Sequence, residues 1–196
     1  MKKGLIALWV VLGLILMAAV TFSGTYNTLV RADEGVSQAW SQVENVYQRR
    51  LDLIPNLVQT VKGYAEHEKS TFVEVTEARS KAAGSLSKDA INDPAKFQQL
   101  QESQGLLSSA LSRLMVVVEK YPDLKANENF LQLQAQLEGT ENRIAVERER
   151  FNKAAQVFNV LLRQFPTNVL GGMFGFKVKE YFKADANARV APKVQF

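Results

Sequence analysis

Residues 36–64 read VSQAWSQVENVYQRRLDLIPNLVQTVKGY. A seam of mostly apolar residues runs through this stretch in alternate steps of four and three: Val36, Trp40, Val43, Tyr47, Arg50, Ile54, Leu57, Val61 and Tyr64. Heptad spacing sustained over four repeats is typical of a helix that packs against other helices. The sequence therefore predicts an all-α protein, an antiparallel bundle of three to four long helices.

Pro55 falls inside this seam, and two interpretations of it stay open. A proline within a helix removes a hydrogen bond and clashes with the carbonyl four residues back, here that of Leu51, so a continuous helix would kink. Alternatively, Asp52 caps a new helix and Pro55 lies in its first turn. In either case the segment is expected to continue to Ala83, where Gly84 can end it.

Two further long helices are predicted. Asp93-Pro94 is typical of a helix start, and Pro122 stops this second helix. The third begins near Asn127 and contains a repeat, Phe151-Asn152 and Phe158-Asn159. The second seam is Phe97, Leu100, Gln104, Leu107, Leu111, Leu114, Val118 and Tyr121; the third is Phe130, Leu133, Leu137, Glu141, Ile144, Arg148, Phe151, Ala155, Phe158, Leu162 and Phe165. Short connections make such helices antiparallel neighbours.

The N-terminal stretch is a membrane-anchor candidate. No charged residue occurs from Gly4 to Val30, and the strongly apolar part is Leu5–Phe22. A helix of about 20 apolar residues crosses the hydrocarbon of a bilayer. We predict a transmembrane helix within residues 1–24, followed by the helical body over residues 25–196.

A cleaved signal peptide is the alternative to an anchor. Signal peptides have apolar cores of about 7–15 residues, shorter than this one, and Val20-Thr21-Phe22 is a poor cleavage context. Lys2 and Lys3 favour a cytoplasmic N-terminus. We therefore expect a single-pass protein of the bacterial inner membrane, with its body periplasmic or otherwise extracytoplasmic.

Little in the sequence indicates chemistry. Beyond Lys2 and Lys3 the chain carries 22 basic and 20 acidic residues without a long basic run, which argues against nucleic acid as a partner. The absence of cysteine excludes disulfides and thiolate sites. His67 is the one histidine and is expected to be solvated, and Gly171–Gly175 lacks the lysine of a phosphate-binding loop. We predict that the protein is not an enzyme, with no catalytic, cofactor-binding or metal-binding residues and no cofactor.

Three charged residues occupy seam positions: Arg50, Glu141 and Arg148. They either rotate to the solvated rim or form a buried ionic layer that fixes helix register, since an unpaired buried charge costs several kcal/mol. In the second case Arg50 pairs with Glu141, and Asp52 and Arg148 complete the layer.

The composition changes after Pro166. Apolar residues are crowded among glycines, and Lys177, Lys179 and Lys183 are interspersed. This tail either packs over one end of the bundle or forms a membrane-facing or partner-facing patch.

These residues resemble the LemA family of bacterial membrane-anchored helical proteins. The resemblance runs from Tyr26 to about Phe182. Its motifs are Tyr26-Asn27, Ala39-Trp40, Arg49-Arg50, Asp52-Leu53-Ile54-Pro55-Asn56-Leu57-Val58, Val61-Lys62-Gly63-Tyr64, His67-Glu68, Tyr121-Pro122-Asp123-Leu124-Lys125-Ala126, Phe130, Leu137-Glu138-Gly139-Thr140-Glu141, Phe165-Pro166, Gly175-Phe176 and Tyr181-Phe182.

The chain departs from the family pattern in two places. Some members have a lipoprotein cysteine before the Tyr-Asn pair, where Ser23-Gly24-Thr25 stands here, so lipid attachment is not carried over. Many members have tyrosine before the last-helix asparagines, where Phe151 and Phe158 stand.

The resemblance implies a helical bundle in the bacterial envelope without catalytic residues. A related protein is linked to forming magnetosome membranes, which makes membrane shaping a family theme. With the anchor and the seams, this leads us to expect a self-associating scaffold whose partners are the lipid bilayer and further copies of the chain. The alternative is a monomeric adaptor that docks an envelope protein, such as a membrane protease or a signalling protein.

Overall fold

The computed structural model describes residues 2–183, and the regular secondary structure within them is entirely helical. The elements are α1 (Lys2–Lys62), α2 (Lys69–Ser85), a short 3₁₀ helix (Lys88–Asn92), α3 (Pro94–Val118), α4 (Pro122–Lys125), α5 (Glu128–Arg163) and α6 (Thr167–Met173). The chain divides into two compact units. We name Met1–Gln38 with Lys153–Lys179 the anchor unit, and Ala39–Asn152 with the residues from Glu180 the bundle unit.

The bundle unit is built from α1, α2, α3 and the first part of α5. Arg50 of α1 contacts Glu141 of α5, and Tyr64, in the turn after α1, contacts Asn127, just before α5. Residue numbers rise along one helix as they fall along the other, so α1 and α5 run antiparallel. Helices α2 and α3 are antiparallel for the same reason, because Glu74 contacts Arg113 and Ser85, later on α2, contacts Ser103, earlier on α3. The up-down-up-down arrangement confirms the predicted all-α bundle.

The predicted seams form the core of this unit. From Trp40 to Val61 every predicted position of α1 is buried, including Arg50, and so is the α3 seam from Phe97 to Val118. Leu111, for example, is buried. Burying one such stripe of side chains per helix is what stabilises helices that propensity alone would leave marginal.

The prediction that the first segment runs to Ala83 is wrong. Helix α1 ends at Lys62, and the amides of both Tyr64 and Ala65 donate to the Val61 carbonyl, each at 3.0 Å. This turn exposes Tyr64 and buries Ala65 in its place. The chain then reverses into α2, which passes through Gly84 and ends one residue later.

The structure decides between the two interpretations of Pro55. Helix α1 continues through Pro55, and Asp52 is exposed, accepting a hydrogen bond from Gln48 Nε2 at 2.8 Å instead of capping a helix. The Leu51 carbonyl, which cannot bond to the missing N–H of Pro55, accepts a hydrogen bond from Arg79 Nε at 2.8 Å. A side chain of α2 thus replaces the bond that the proline removes.

The predicted helix starts are confirmed by their caps. Asp93 Oδ1 accepts from the amides of Ala95 and Lys96 at 2.9 and 3.3 Å, with Pro94 in the first turn. Asn127 Oδ1 accepts from the Phe130 amide at 3.0 Å at the start of α5. Each side chain satisfies amides that the first helical turn leaves without a partner.

The anchor unit contains the N-terminal part of α1, the end of α5 and α6. Its buried residues include Leu29, Phe158 and Leu170. A Cβ on Gly171 would lie 2.3 Å from Leu162 Cδ1, so the glycine lets α6 approach α5 closely. Phe165, predicted to lie on the third seam, is 83% exposed because α5 ends at Arg163.

Candidate functional sites: an apolar helix and a buried arginine

The first candidate site is the N-terminal part of α1. Every large apolar side chain from Leu5 to Phe22 whose position is described is exposed. This stretch is about 27 Å long at 1.5 Å per residue, close to the roughly 30 Å of a bilayer's hydrocarbon. Helix α1 is apolar enough over this part to cross a membrane, and the part of the chain that the structure describes holds one such helix.

The second candidate site surrounds Arg50, which is 2% exposed. Its Nη1 donates to Glu141 Oε1 at 2.7 Å and to Ser108 Oγ at 3.1 Å, and its Nη2 donates to Gln104 Oε1. The guanidinium therefore joins α1 to α3 and α5 at one level of the bundle. The predicted pairing of Arg50 with Glu141 is confirmed.

The two partners of this ion pair differ in burial: Arg50 is buried and Glu141 is partly exposed to solvent. The Glu141 side chain is 42% exposed, so solvent screens the carboxylate while the arginine is desolvated. Within the described residues, Arg50 Nε and Gln104 Nε2 are buried without a hydrogen-bond partner. A buried pair of this kind adds little net stability, because the cost of desolvating the charge offsets much of the attraction between the partners.

The two other predicted members of the layer lie elsewhere. Asp52 points to solvent, because two residues along a helix turn its side chain to another face from that of Arg50. Arg148 does not bond to Glu141; its Nε donates to Tyr47 Oη at 2.7 Å, and its guanidinium lies over the Phe182 ring at 4.9 Å. Tyr47 sits between both arginines, each about 5.7 Å from its ring centroid.

Tyr47 is the titratable group most affected by this site. Burial raises the pKa of its phenol above the usual value near 10, because the ionised form would be poorly solvated. The charge and hydrogen bond of Arg148 lower the pKa and offset part of this effect. Tyr47 is therefore neutral at physiological pH and serves as a fixed hydrogen-bond acceptor.

The Phe-Asn repeat of α5 holds the C-terminal segment. In the bundle unit, Asn152 Nδ2 donates to the Phe182 carbonyl at 3.0 Å and Asn152 Oδ1 accepts from the Phe182 amide at 2.9 Å. In the anchor unit, Asn159 makes the same two bonds with Lys179, at 2.9 and 2.8 Å. Each asparagine side-chain amide thus bonds to both the N–H and the C=O of one backbone residue.

Two residues of this C-terminal segment, Lys179 and Phe182, also make side-chain contacts. Phe182 joins the aromatic cluster of the bundle unit, with its ring centroid 4.8 Å from that of Phe97. Lys179 is 4% exposed and pairs with Asp33 Oδ1 at 2.8 Å inside the anchor unit. The Lys179–Asp33 pair could not be predicted from the sequence, because no spacing pattern relates Asp33 of α1 to a lysine of the non-helical C-terminal segment.

A model of the LemA family matches residues 39–196. The chain belongs to the LemA family. Magnetosome protein MamQ 2 of Paramagnetospirillum magneticum is 31% identical over 189 residues, which cover 85% of this chain and 69% of that protein. Magnetosome protein MamQ of Magnetospirillum gryphiswaldense is 28% identical over 202 residues, covering 93% and 74%. Protein LemA of Metamycoplasma hominis is 25% identical over 169 residues, covering 86% and 74%.

The family assignment confirms the resemblance seen in the sequence. Residues 39–196 make up about four fifths of the chain. The alignment with the Magnetospirillum gryphiswaldense protein, which covers 93% of the chain, therefore includes part of the helix before residue 39. The similarity of LemA-family relatives extends beyond the bundle unit into the N-terminal part of α1.

A groove lies beside Arg50 in the bundle unit of this LemA-family chain. It has a volume of about 590 Å³ and runs between α3 and α5. Ser108 and Glu141, both partners of Arg50, line it together with Leu111, Met115 and Leu137. An apolar floor with polar edges is suited to an amphipathic helix or peptide.

His67 and the acidic residues were not expected to form a metal site. His67 is exposed, as expected. Across residues 2–183 no group of three or more histidine or acidic side chains is arranged to hold a metal ion. The absence of catalytic, cofactor-binding and metal-binding residues stays a prediction. So does the division into residues 1–24 and 25–196, whose last part lies outside the described residues.

Proposed function

We propose that this LemA-family protein is a membrane-anchored structural protein of the bacterial envelope that associates with further copies of itself. The N-terminal helix holds it in the inner membrane, with the N-terminus in the cytoplasm and the body outside. Lateral contacts between anchored copies then stiffen or shape the bilayer without a chemical reaction. Membrane shaping agrees with the similarity to magnetosome proteins.

One observation carries the self-association: an exposed apolar stripe on α5. The stripe consists of Leu131, Val146, Val157 and Val160, all exposed. At about 100° per residue these four positions fall within roughly 80° of one another around the helix. Scattered exposed apolar residues are ordinary, but these four share one face of α5 with the exposed polar residues Asn142, Glu149 and Lys153, which suits a mixed apolar and polar contact between helices.

Anchoring in a membrane favours association through such a surface. Copies confined to one membrane meet at a much higher effective concentration than copies free in solution, so weak contacts suffice for assembly. Helix α1 continues without a break from the apolar stretch into the folded residues of the anchor unit, such as Leu29 and Val36. No loop separates the membrane segment from the folded part of that unit.

The test is the mass of the full-length protein in mild detergent, measured by light scattering. The parent should form assemblies, and the double variant Val146→Asp/Val157→Asp should shift them to monomers, because aspartate on the stripe places like charges in the contact. Val116→Asp on α3 is the matched control, since Val116 is also an exposed valine but lies off the stripe. A monomeric parent, or assemblies that both variants leave intact, would overturn the proposal.

The groove between α3 and α5 favours a second candidate function, that of a monomeric adaptor. There the occupant would be a helix of an envelope protein such as a membrane protease or signalling protein, seated over Leu111, Met115 and Leu137. Introducing a charge by Met115→Glu should then abolish a site-specific cross-link to that partner in membranes. The same variant should leave the mass of the purified protein unchanged, which separates the adaptor from the scaffold.

A further inference from the structure

A second apolar surface lies in the anchor unit, between α1 and α6. This α1–α6 groove has a volume of about 490 Å³ and is lined by Leu14, Met17 and Phe22 of α1 and by Phe165, Val169 and Leu170. Thr21 also lines it, but its hydroxyl donates to the Met17 carbonyl at 2.9 Å and so presents no free donor. The other side chains that line the groove are apolar, so no side chain there has a free hydrogen-bond donor for a polar ligand.

Four large apolar side chains in and beside α6 are exposed. Phe165 is 83% exposed and Met173 is 69% exposed, and Val169 and Phe174 are also exposed. No charged residue occurs between Arg163 and Lys177. A contiguous apolar surface of this kind is costly in water and marks a membrane or protein contact.

The position of the groove along α1 identifies the contact. Leu14–Phe22 is the half of the apolar stretch nearer the body, and its eight steps of 1.5 Å span roughly 12 Å along the helix axis. If α1 crosses the bilayer, these residues lie in the hydrocarbon of the leaflet on the body's side. Phe165, Val169 and Leu170 share one groove with them, so they lie at the same depth.

The charged residues on either side of α6 agree with this depth. Arg163 at the end of α5 and Lys177 after α6 are both exposed. Long cationic side chains at the edge of an apolar segment reach up to the headgroup layer while their stems stay in the apolar region. The positions of Arg163 and Lys177 thus agree with an apolar element whose ends reach the headgroup layer.

We infer that α6 with Phe165 and Phe174 is a second membrane element, inserted into one leaflet, and that lipid acyl chains fill the α1–α6 groove. Acyl chains are favoured over a protein occupant because the groove is continuous with the exposed apolar side chains of the anchor, which lipid already surrounds. The element is held against the anchor by ring contacts of Phe174 with Phe22 and Tyr26, whose centroids lie 5.9 and 4.8 Å away.

The inference rests on the membrane anchoring proposed above, and a cysteine-free chain allows both to be tested separately. Single cysteines at Phe165, Met173, Ile15 and Val116 would carry spin labels in the full-length protein in liposomes. Collision rates with oxygen, which concentrates in hydrocarbon, and with a water-soluble nickel complex then report where each label lies. Ile15 reports on the anchor, and Val116 is the exposed control on α3.

Labels at Phe165 and Met173 should collide more with oxygen than with nickel, as at Ile15, whereas the Val116 label should show the reverse. Nickel-dominated collisions at Phe165 and Met173, with Ile15 still in hydrocarbon, would overturn the second membrane element and leave the anchor intact. An aqueous Ile15 label would overturn the anchoring itself. Low collision rates with both reagents, together with spin–spin broadening at Phe165, would show that a second copy of the chain fills the groove instead of lipid. That result would also overturn the inference.

Discussion

Arg50 shows how a single residue links the helices of the bundle unit. Its guanidinium bonds to Gln104 and Ser108 of α3 and to Glu141 of α5. The sequence predicted the pair because Arg50 and Glu141 both occupy seam positions and a buried charge demands a partner. Gln104 could be identified from the sequence as a polar residue on the second seam. Its bond to Arg50 could not be predicted, because it depends on how far α3 is shifted along its axis relative to α1, which periodicity does not give.

A double-mutant cycle tests the strength of this pair. Arg50→Met should destabilise the protein by about 3 kcal/mol, the lower end for breaking a buried pair, because Glu141 is partly solvated. The coupling of Arg50→Met with Glu141→Gln should be about 1–3 kcal/mol, measured by denaturant unfolding in mild detergent. The exposed pair Arg113–Glu74, with an N–O distance of 2.8 Å against 2.7 Å for Arg50–Glu141, is the matched control and should couple by about 0.2–1 kcal/mol. Equal coupling in both pairs would show that the burial of Arg50 adds nothing.

Tyr47 gives the same site a pH dependence. Because burial raises the pKa of Tyr47 in the folded state, the folded protein holds the phenolic proton more tightly than the unfolded chain does. The resulting stability is fully present below the unfolded pKa near 10 and is lost as pH rises through the folded pKa.

In Tyr47→Phe, the loss of folding stability at alkaline pH should therefore be smaller than in the parent. The stability of the parent should fall more steeply than that of the variant above about pH 10, although the variant starts lower because Arg148 loses its acceptor. Tyrosinate absorbance of the folded parent should also show one of its five tyrosines titrating late, and Tyr47→Phe should remove that late component. Identical alkaline titrations for parent and variant would contradict the raised pKa.

At the scale of elements, α1 owes its continuity through Pro55 to Arg79 of α2. Arg79→Met should leave the Leu51 carbonyl without its partner and cost about 1–3 kcal/mol. In a Pro55→Ala background the restored amide can bond to that carbonyl, so Arg79→Met should cost clearly less. Thermal unfolding followed by circular dichroism measures both. Equal costs in the two backgrounds would mean that Arg79 does not compensate for the proline.

The elements also show which patterns a sequence can and cannot reveal. Seams on α1, α3 and α5 were predictable because a helix must bury one stripe, and the stripe repeats at helical spacing. The turn at Gly63 was missed because Val75 and Ala78 can be read as a continuation of the same pattern, although they lie on a second helix. The partners of Asn152 and Asn159 are backbone groups of a segment without periodicity, so no spacing rule could place Phe182 or Lys179 against them.

Removing one asparagine tests how the C-terminal segment is held. Asn159→Ala should remove both hydrogen bonds that its side chain makes with the amide and carbonyl of Lys179, at a cost of about 1–3 kcal/mol. Hydrogen exchange at the Lys179 amide should accelerate, since its acceptor is lost. Asn142→Ala, at an exposed asparagine of the same helix, is the control and should leave this exchange unchanged. Unaltered protection of Lys179 in Asn159→Ala would show that the segment is held by other contacts.

At the scale of the whole molecule, the proposed function depends on the anchor being retained and on the side of the membrane that the body occupies. The apolar stretch is longer than a signal-peptide core, and its side chains are exposed for lipid contact. If the anchor is retained, the protein extracted from membranes should have a mass that includes the apolar stretch Leu5–Phe22. A mass corresponding to a start between about residues 20 and 25 would show cleavage of the apolar stretch as a signal peptide.

Orientation follows from the charges beside the anchor. Lys2 and Lys3 precede it, and positive residues stay preferentially in the cytoplasm. In the cysteine-free chain, a cysteine at exposed Val73 should react with a membrane-impermeant maleimide in intact spheroplasts. A cysteine at Lys3 should react after lysis and be protected before it. Both sites should be labelled in lysed cells, which controls for intrinsic reactivity. Protection of Val73→Cys together with labelling of Lys3→Cys in intact spheroplasts would place the body in the cytoplasm, and its partners would have to be sought there.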